Sequence, residues 1–473
     1  MKNILFCLIM IAFTSCASGQ PEKGFRVEVG ISGLRDSSIY LAYHLGDKQY
    51  VTDTITLDSN GNGVFSGQES LPQGIYLIVL PGKQYFEILM GVDQNFSLTC
   101  SIADYFHTLE FKGSDENNAF VAYQRDWVGL QLKANGLVKR IQANKQNADS
   151  VRILTASQKA QEAVMKAYLN KVIDRNKGTL LAVLVKAMLP VDMPVITAPP
   201  GSRNPDSVKW VMTYLHNKDH FFDNTDLSDE RLLRTPILQA RLNSFFTNVL
   251  IQAPDTIDRE IDRLIAKVQG DPKLFQFVAV WLFNHFSQSE VMGHDAVMVK
   301  LADDIYLSGK APWVSKEFRD DLRKQVELIR PNLIGKKAVD LVMDSYKGIF
   351  VSLYDVDKDF TILYFWEPDC SHCKEATPKL RKYYETAKNE GVEVFAVCTT
   401  ADRQKWEKYI QDNDLSWING WDPDRKSNFG AYYNVQSTPL IYILDRNKKI
   451  IAKKLSVDDI PLFISNYRKF FRK

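Results

Sequence analysis

The residues best suited to chemistry in this sequence are two cysteines three positions apart, Cys370 and Cys373. The chain has six cysteines, and no other two lie this close together. In such a pair the first thiolate can open a disulfide in a partner, and the second cysteine can then release the product. The spacing therefore predicts thiol–disulfide exchange, with both cysteines catalytic.

Two other uses of the pair stay open from the sequence. A structural zinc site needs four ligands, but only Cys398 lies downstream of the pair, alone at the end of a predicted strand. A structural disulfide without turnover needs no further residue. Exchange chemistry needs no metal and no small-molecule cofactor, because the two sulfurs carry the electrons. We therefore expect neither.

The elements on either side of the pair would position it. The apolar run Phe360–Trp366 predicts a buried central strand, and residues 374–389 predict a helix. A cysteine at a helix N-terminus faces unpaired backbone N–H groups and the positive end of the helix dipole, which both favour the thiolate. We expect the pKa of Cys370 to fall from about 8.5 towards roughly 3.5–7.5. Cys373, one turn later, would attack the mixed disulfide.

Five neighbours are expected to shape the site. Trp366 and Pro368 precede the pair, and Ser371 and His372 lie between the two cysteines. His372 adds a hydrogen-bond donor or partial charge that stabilises the thiolate. Asp369 acts in the opposite direction, because an adjacent carboxylate disfavours a second anion. Whether the pKa of Cys370 lies below or above that of other cysteine pairs at a helix N-terminus therefore stays open.

A second region supports the same chemistry. Thr438 and Pro439 stand directly before an apolar, β-branched run at 440–445 that predicts a strand. A proline is allowed at the first residue of a strand, because it interrupts no ladder hydrogen bond there. The alternative to a role in the exchange site is that Pro439 is an ordinary trans proline at a strand edge.

These motifs resemble those of the exported, TlpA-like branch of the thioredoxin superfamily. The residues that carry the resemblance are Trp366, Pro368, Cys370, Cys373, Pro378, Thr438 and Pro439. The resemblance covers residues 331–473 and implies a thioredoxin fold with a cis Thr438–Pro439 bond packed against the cysteines. It also implies protein thiols and disulfides of the cell envelope as partners, an upstream membrane electron donor, and action as a reductase.

Two positions depart from that family. Tyr364 stands where thioredoxins have a buried Asp that handles the proton of the inner cysteine, and Ala376 stands where TlpA-like reductases often have Glu. Glu367 and Glu375 are nearby in sequence, but neither can be assigned to the site. The general base for Cys373 is therefore unassigned.

Residues 1–16 predict an export signal. Lys2 is followed by an apolar run at 4–13 and by small residues before Cys16. A ten-residue helix spans about 15 Å, half the hydrocarbon core, so the run is too short to cross a membrane. The segment resembles a lipoprotein signal in which Cys16 is lipidated, although Phe13 replaces the usual Leu. A secretory signal is the alternative, and either one exports the chain. We expect a lipid-anchored protein that faces the periplasm.

The chain before the cysteine pair predicts two further regions. Alternating apolar and polar residues at 24–113, broken by turn residues, predict an antiparallel β-sandwich, in which Cys100 is a core thiol. This region resembles a small β-domain of unknown function found in exported thioredoxin-like proteins. Residues 114–330 predict helices, interrupted at 190–205 by five prolines that form a linker or loop. The predicted fold class is therefore multidomain: β-sandwich, α-helical middle and α/β thioredoxin fold.

Composition limits the function classes. Lys plus Arg (59) nearly balances Asp plus Glu (57), so the chain has no basic excess for nucleic-acid binding. The favoured function is an extracytoplasmic thiol–disulfide oxidoreductase. The alternative is an envelope binding or scaffold lipoprotein whose thioredoxin domain is redox-inactive.

Overall fold

The computed structural model describes residues 24–471. The predicted signal segment and Cys16 lie outside these residues. Within residues 24–471, no helix is both long enough and apolar enough to span a bilayer. The chain divides after Val249 into two compact units.

The first unit begins with two four-stranded sheets, ordered β4-β1-β7-β8 and β3-β2-β5-β6. Their strands are β1 (Phe25–Ser32), β2 (Ser38–Leu45), β3 (Lys48–Thr56), β4 (Asn62–Gly67), β5 (Gly74–Val79), β6 (Tyr85–Met90), β7 (Asn95–Ser101) and β8 (Glu110–Lys112). A one-turn helix, α1 (Tyr105–Thr108), lies between β7 and β8. Alternate side chains of both sheets meet in one core, which includes Val27, Leu41, Phe65, Ile78, Leu98 and Cys100.

The predicted fold class is confirmed, with one difference inside the sandwich. Strands β1 and β7 pair in parallel, with Val27 opposite Phe96, whereas the other strand pairs of the two sheets are antiparallel. Parallel neighbours need a crossover connection instead of a hairpin. The chain makes that crossover through the second sheet before it returns as β7, a path that alternation of residues does not reveal.

Helices complete the first unit. They are α2 (Asp115–Ala143), α3 (Ala148–Arg175), α4 (Leu180–Met188), α5 (Pro205–His220) and α6 (Ile237–Ser244), which continues as a π-helical turn at Phe245–Val249. Side-chain caps begin four of them: Ser114, Asn147, Thr179 and Asn204 each accept a hydrogen bond from a backbone N–H of the first turn. The proline-rich segment between α4 and α5 contains no helix or strand.

The second unit begins with four helices and continues into a seven-stranded sheet with four further helices. The helices are α7 (Pro254–Val268), α8 (Pro272–Ser287), α9 (His294–Leu301), which continues as a π-helix at Ala302–Leu307, and α10 (Lys316–Ile329). The strands are β9 (Val342–Ser345), β10 (Phe350–Ser352), β11 (Phe360–Trp366), β12 (Val392–Cys398), β13 (Ile418–Trp421), β14 (Leu440–Asp445) and β15 (Ile450–Lys453). Their order is β10-β9-β13-β12-β11-β14-β15. The remaining helices are α11 (Ser371–Ala387), α12 (Arg403–Asp412), α13 (Phe429–Tyr432) and α14 (Ile460–Phe471).

Strand β11 lies inside this sheet and is buried along its whole length. It pairs in parallel with β12 and antiparallel with β14. Side chains of β11 enter two cores, with Ile362, Tyr364 and Trp366 on one face and Leu363 and Phe365 on the other. A strand buried on both faces reads as a continuous apolar run, which is the pattern the sequence has here.

A buried lysine joins β15 to the helices that precede the sheet. Lys453 is 4% exposed, and its Nζ donates to the backbone oxygen of Asn332 at 2.9 Å and to the Asn332 side-chain oxygen at 3.1 Å. The same ammonium pairs with Asp295 of α9. Burial lowers the pKa of Lys453, although Asp295 opposes that shift. Helix α9 is thereby fastened to the sheet that carries the cysteines.

Candidate active site

The end of β11 and the start of α11 position the two cysteines. Four residues separate Trp366, the last residue of β11, from Ser371, the first residue of α11. Cys370 is the N-cap of α11, and its Sγ accepts a hydrogen bond from the backbone N–H of Cys373 at 3.2 Å. A thiolate at this point satisfies a helix N–H that would otherwise lack a partner.

The two thiols differ in accessibility. Cys370 is partly exposed, whereas Cys373 is completely buried, at 0%. A protein disulfide can therefore reach the sulfur of Cys370 but not that of Cys373. The outer cysteine is the one able to attack a partner, and the inner one can react only through it.

The two thiols also differ in acidity. Burial is the largest single influence on the pKa of Cys370 and raises it, but hydrogen bonds from Cys373, from the Thr438 side chain and from the His372 backbone outweigh it, so the pKa is lowered. Burial raises the pKa of Cys373, and its hydrogen bond and charge interaction with Cys370 raise it further. The first proton therefore leaves Cys370.

The loop before β14 contacts the sulfur of Cys370. The Thr438–Pro439 peptide bond is cis. As a thiol, Cys370 donates to the backbone oxygen of Thr438 at 3.2 Å. As a thiolate it gains instead from the Thr438 side chain, which lowers its pKa. The structure thus brings together the Cys370–Cys373 pair and the Thr438–Pro439 pair, which are more than 60 residues apart in sequence.

The other neighbours of the pair divide into buried and exposed groups. Trp366 and Pro368 are buried. Asp369, Ser371 and His372 are exposed, and His372 acts on the pKa of Cys370 through its backbone N–H. The exposed residues border Cys370, which is the member of the pair that a partner can reach.

Comparison with known proteins agrees with this geometry. The model of a family described as thioredoxin-like matches residues 357–450. The thiol–disulfide oxidoreductase ResA of Geobacillus kaustophilus is 29% identical over 141 residues, which cover 28% of this chain and 78% of that protein. A crystal structure described as a domain of a possible thiol–disulfide isomerase, from Cytophaga hutchinsonii, is 35% identical and covers 30% of this chain and 96% of its own, with a TM-score of 0.29.

The C-terminal part of this chain is a thioredoxin-like domain of the thiol–disulfide oxidoreductase family. The prediction of a thioredoxin-type oxidoreductase is thereby confirmed.

The first unit has its own match, because the model of a domain of unknown function, DUF4369, matches residues 25–120. A crystal structure of a thioredoxin-like protein from Bacteroides caccae is 18% identical and covers 58% of this chain and 100% of its own, with a TM-score of 0.43.

One charged partner in the thioredoxin-like domain was missed from the sequence. Lys405, in the first turn of α12, donates from Nζ to Asp369 Oδ2 at 2.7 Å. This ion pair lowers the pKa of the Asp369 carboxyl. Nothing local in the sequence marks Lys405, which lies 36 residues after Asp369 and meets it only through the fold.

Several hydroxyl groups share the core with Cys373. Tyr364 and Thr377 are both fully buried, and their hydroxyl oxygens are 2.9 Å apart in a hydrogen bond. Tyr409 of α12 lies nearby: burial raises its pKa, the Thr377 side chain opposes that shift, and its ring lies 5.0 Å from that of Trp366. Of these residues the sequence pointed only to Tyr364, as a departure from the family pattern.

The remaining acidic and thiol groups are placed as follows. Glu375 is exposed on α11, whereas Glu367 is partly buried and its Oε2 accepts a hydrogen bond from Thr399 Oγ1 at 3.4 Å. Cys398 is buried, and burial raises its pKa to about 12. Over residues 24–471, no three His, Cys, Asp or Glu side chains are grouped so that they could hold a metal ion.

Proposed function

We propose that this chain is an extracytoplasmic thiol–disulfide oxidoreductase that exchanges the Cys370–Cys373 dithiol with disulfides of protein partners, acting as a reductase. The observation that carries the proposal is the asymmetry of the pair. Cys370 is partly exposed and its pKa is lowered, whereas Cys373 is buried and its pKa is raised. This division of roles is what two-step exchange requires.

The reaction proceeds in two displacements. The Cys370 thiolate attacks one sulfur of the partner disulfide, and the other sulfur leaves as a thiolate. Cys373 then loses its proton and attacks Cys370 Sγ, so that the partner's second sulfur leaves and the Cys370–Cys373 disulfide forms. The partner gains two electrons and, from solvent, two protons. A membrane electron donor then restores the dithiol.

The proposed location rests on the N-terminal segment of the sequence. The apolar run at 4–13 and the small residues before Cys16 support export and lipidation of Cys16. A lipid anchor on Cys16 would hold the chain at the membrane with the thioredoxin-like domain facing the periplasm. Replacement of Cys16 by Ser should abolish lipid labelling while export continues, and unchanged labelling would refute the anchor.

Cysteine variants test the exchange activity directly. In the Cys373→Ser variant, Cys370 can attack a partner but nothing releases the product, so a mixed disulfide with envelope proteins should accumulate. Cys370→Ser should trap almost nothing, and Cys398→Ser serves as the control for loss of a buried thiol. The wild-type chain should also reduce insulin. If neither variant traps a protein and insulin stays oxidised, the domain is redox-inactive and the chain is a binding or scaffold protein.

The reductase direction has its own measurement. A redox potential near about −270 mV would support a reductase, whereas one near about −120 mV would identify an oxidant and refute this part of the proposal. Small differences in redox potential are informative, since about 30 mV corresponds to roughly 1.4 kcal/mol of free energy for a two-electron couple.

A further inference from the structure

The second displacement requires that Cys373 lose its proton inside the protein. Its thiol is 0% exposed, so solvent hydroxide has no direct access to it. Burial also raises its pKa, which leaves the thiol protonated at neutral pH. Some group in contact with the core must therefore take this proton or pass it on.

The groups that face Cys373 come from each element around it. They are Cys370 on α11, Tyr364 on β11, Cys398 on β12, Tyr409 on α12, the Thr438 side chain before β14, and Glu367, which acts through its backbone. None of these, apart from Glu367, has a carboxylate. One oxygen of the Glu367 carboxylate accepts a hydrogen bond from Thr399 at 3.4 Å, and its negative charge raises the pKa of Cys398.

Three side-chain hydroxyl groups belong to the part of the core that holds Cys373. We call Tyr364, Thr377 and Tyr409 the hydroxyl cluster. Thr377 lies four residues after Cys373, so both side chains are on the same face of α11. The Thr377 hydroxyl is bonded to that of Tyr364 at 2.9 Å and interacts with that of Tyr409. The charge of the Cys373 thiolate contributes to the raised pKa of both tyrosines.

The chemistry of hydroxyl groups suits them to conduct a proton without storing it. Each one donates one hydrogen bond and accepts others, so it can take a proton on one side as it gives one on the other. Burial raises the pKa of both tyrosines, which therefore stay neutral. Tyr409 is only partly buried, so the cluster extends from the fully enclosed Tyr364 and Thr377 towards solvent.

We propose that the hydroxyl cluster is the route by which Cys373 releases its proton to solvent during the second displacement. This inference rests on the proposed exchange function. As Cys373 attacks Cys370 Sγ, its proton passes to a cluster hydroxyl, and a different proton leaves the cluster to water. The Cys370–partner bond breaks, the Cys370–Cys373 bond forms, and the partner departs as a thiolate. No member of the cluster is charged before or after the step.

A two-phase reaction with one equivalent of 5,5′-dithiobis(2-nitrobenzoate) separates the two displacements. Cys370 attacks the reagent and releases one nitrothiobenzoate, and Cys373 then attacks the mixed disulfide and releases the second. Stopped-flow absorbance follows both phases across a range of pH. The wild type, Thr377→Val, Thr377→Ser, Tyr409→Phe and Glu367→Gln proteins are compared.

The first phase should be unchanged in Thr377→Val, because Cys370 does not use the cluster. The second phase should slow by about 10²-fold at pH 7, a loss typical of removed proton-transfer groups. Thr377→Ser keeps the hydroxyl and should restore the second phase. Tyr409→Phe should slow it as well, which covers the case in which Thr377→Val does not fold.

Two results would overturn the inference while leaving the proposed function intact. One is an unchanged second phase in both Thr377→Val and Tyr409→Phe. The other is a second phase that slows in Glu367→Gln and not in the hydroxyl variants, which would make Glu367 the base. Loss of the first phase in the wild type would instead refute the exchange function, and with it the inference.

Discussion

Lys405 Nζ and Asp369 Oδ2 form an ion pair of 2.7 Å beside the reactive cysteine. Taken from the sequence alone, Asp369 opposes the Cys370 thiolate, because two adjacent anions repel each other. The lysine offsets that charge and lowers the pKa of the Asp369 carboxyl. The thiolate therefore forms next to a neutralised pair and not next to an isolated carboxylate.

Removal of the lysine should make Cys370 less acidic. In Lys405→Met, the unpaired Asp369 carboxylate raises the pKa of Cys370, so alkylation of Cys370 by iodoacetamide at pH 6 should slow. Both side chains are exposed, and exposed pairs are weak, so we expect a change of only about two-fold. The difference should disappear in 1 M salt, where charges are screened beyond about 3 Å.

Lys408 provides the matched control for this experiment. It lies on the same helix and pairs with Asp412 instead of Asp369. Lys408→Met should leave the alkylation rate of Cys370 unchanged. Equal slowing in both variants would show that overall charge, and not the Asp369 contact, sets the rate.

The acidity of the two thiols predicts opposite pH profiles. Alkylation follows the thiolate fraction, and the pKa of Cys370 is lowered, so in Cys373→Ser the rate should reach half its maximum below the usual thiol pKa of about 8.5. Burial raises the pKa of Cys373, so in Cys370→Ser the remaining thiol should react only at pH well above that value. Mass spectrometry after timed quenching measures both, and a common midpoint would contradict the assignment of roles.

The buried Lys453–Asp295 pair should contribute to the stability of the second unit. In Asp295→Ala, the Lys453 ammonium stays buried with only Asn332 as a partner. We expect a loss of about 2–4 kcal/mol in the free energy of unfolding, somewhat below the full cost of breaking a buried pair, because the Asp295 side chain is 23% exposed. Denaturation in urea measures the loss.

Two further variants make this result specific. Lys453→Met combined with Asp295→Leu removes both charges and should cost less than Asp295→Ala alone. Arg446→Ala breaks an exposed pair with Asp357 and should change the free energy by about 1 kcal/mol or less. A double variant as unstable as the single one would argue against an unpaired buried charge as the cause.

A buried asparagine should stabilise the first unit in a comparable way. Asn117, near the start of α2, bonds both backbone groups of Leu89 on the edge strand β6: it accepts from the N–H at 2.7 Å and donates to the oxygen at 2.8 Å. Asn117→Ala leaves both groups buried without a partner, at about 1–3 kcal/mol each. Thermal unfolding should register the loss, whereas Asn144→Ala at the exposed end of α2 should have little effect.

The cysteine pair was evident from the sequence because its evidence is local. An apolar strand, a Cys-x-x-Cys turn and a helix follow one another within about 30 residues, and each has a recognisable pattern. The same is true of Pro439, which directly precedes β14. The sandwich and the helices were likewise evident from alternation and periodicity.

The groups that act on those cysteines come from distant parts of the chain. Lys405 and Tyr409 reach the site from α12, and no spacing rule connects them to Cys370. The parallel pairing of β1 with β7 was hidden for the same reason, since register between strands far apart in sequence leaves no local trace.

The sequence by itself determined that this chain carries a Cys-x-x-Cys pair at the N-terminus of a helix in an α/β domain, because strand, turn and helix are encoded by neighbouring residues. Only the tertiary structure decided which thiol is exposed and which is enclosed, that Lys405 pairs with Asp369, and that the Tyr364 and Thr377 hydroxyls are hydrogen-bonded to each other in the core that holds Cys373. Burial, charge pairing and hydrogen bonding are set by distances through space, and those distances exist only once the chain has folded.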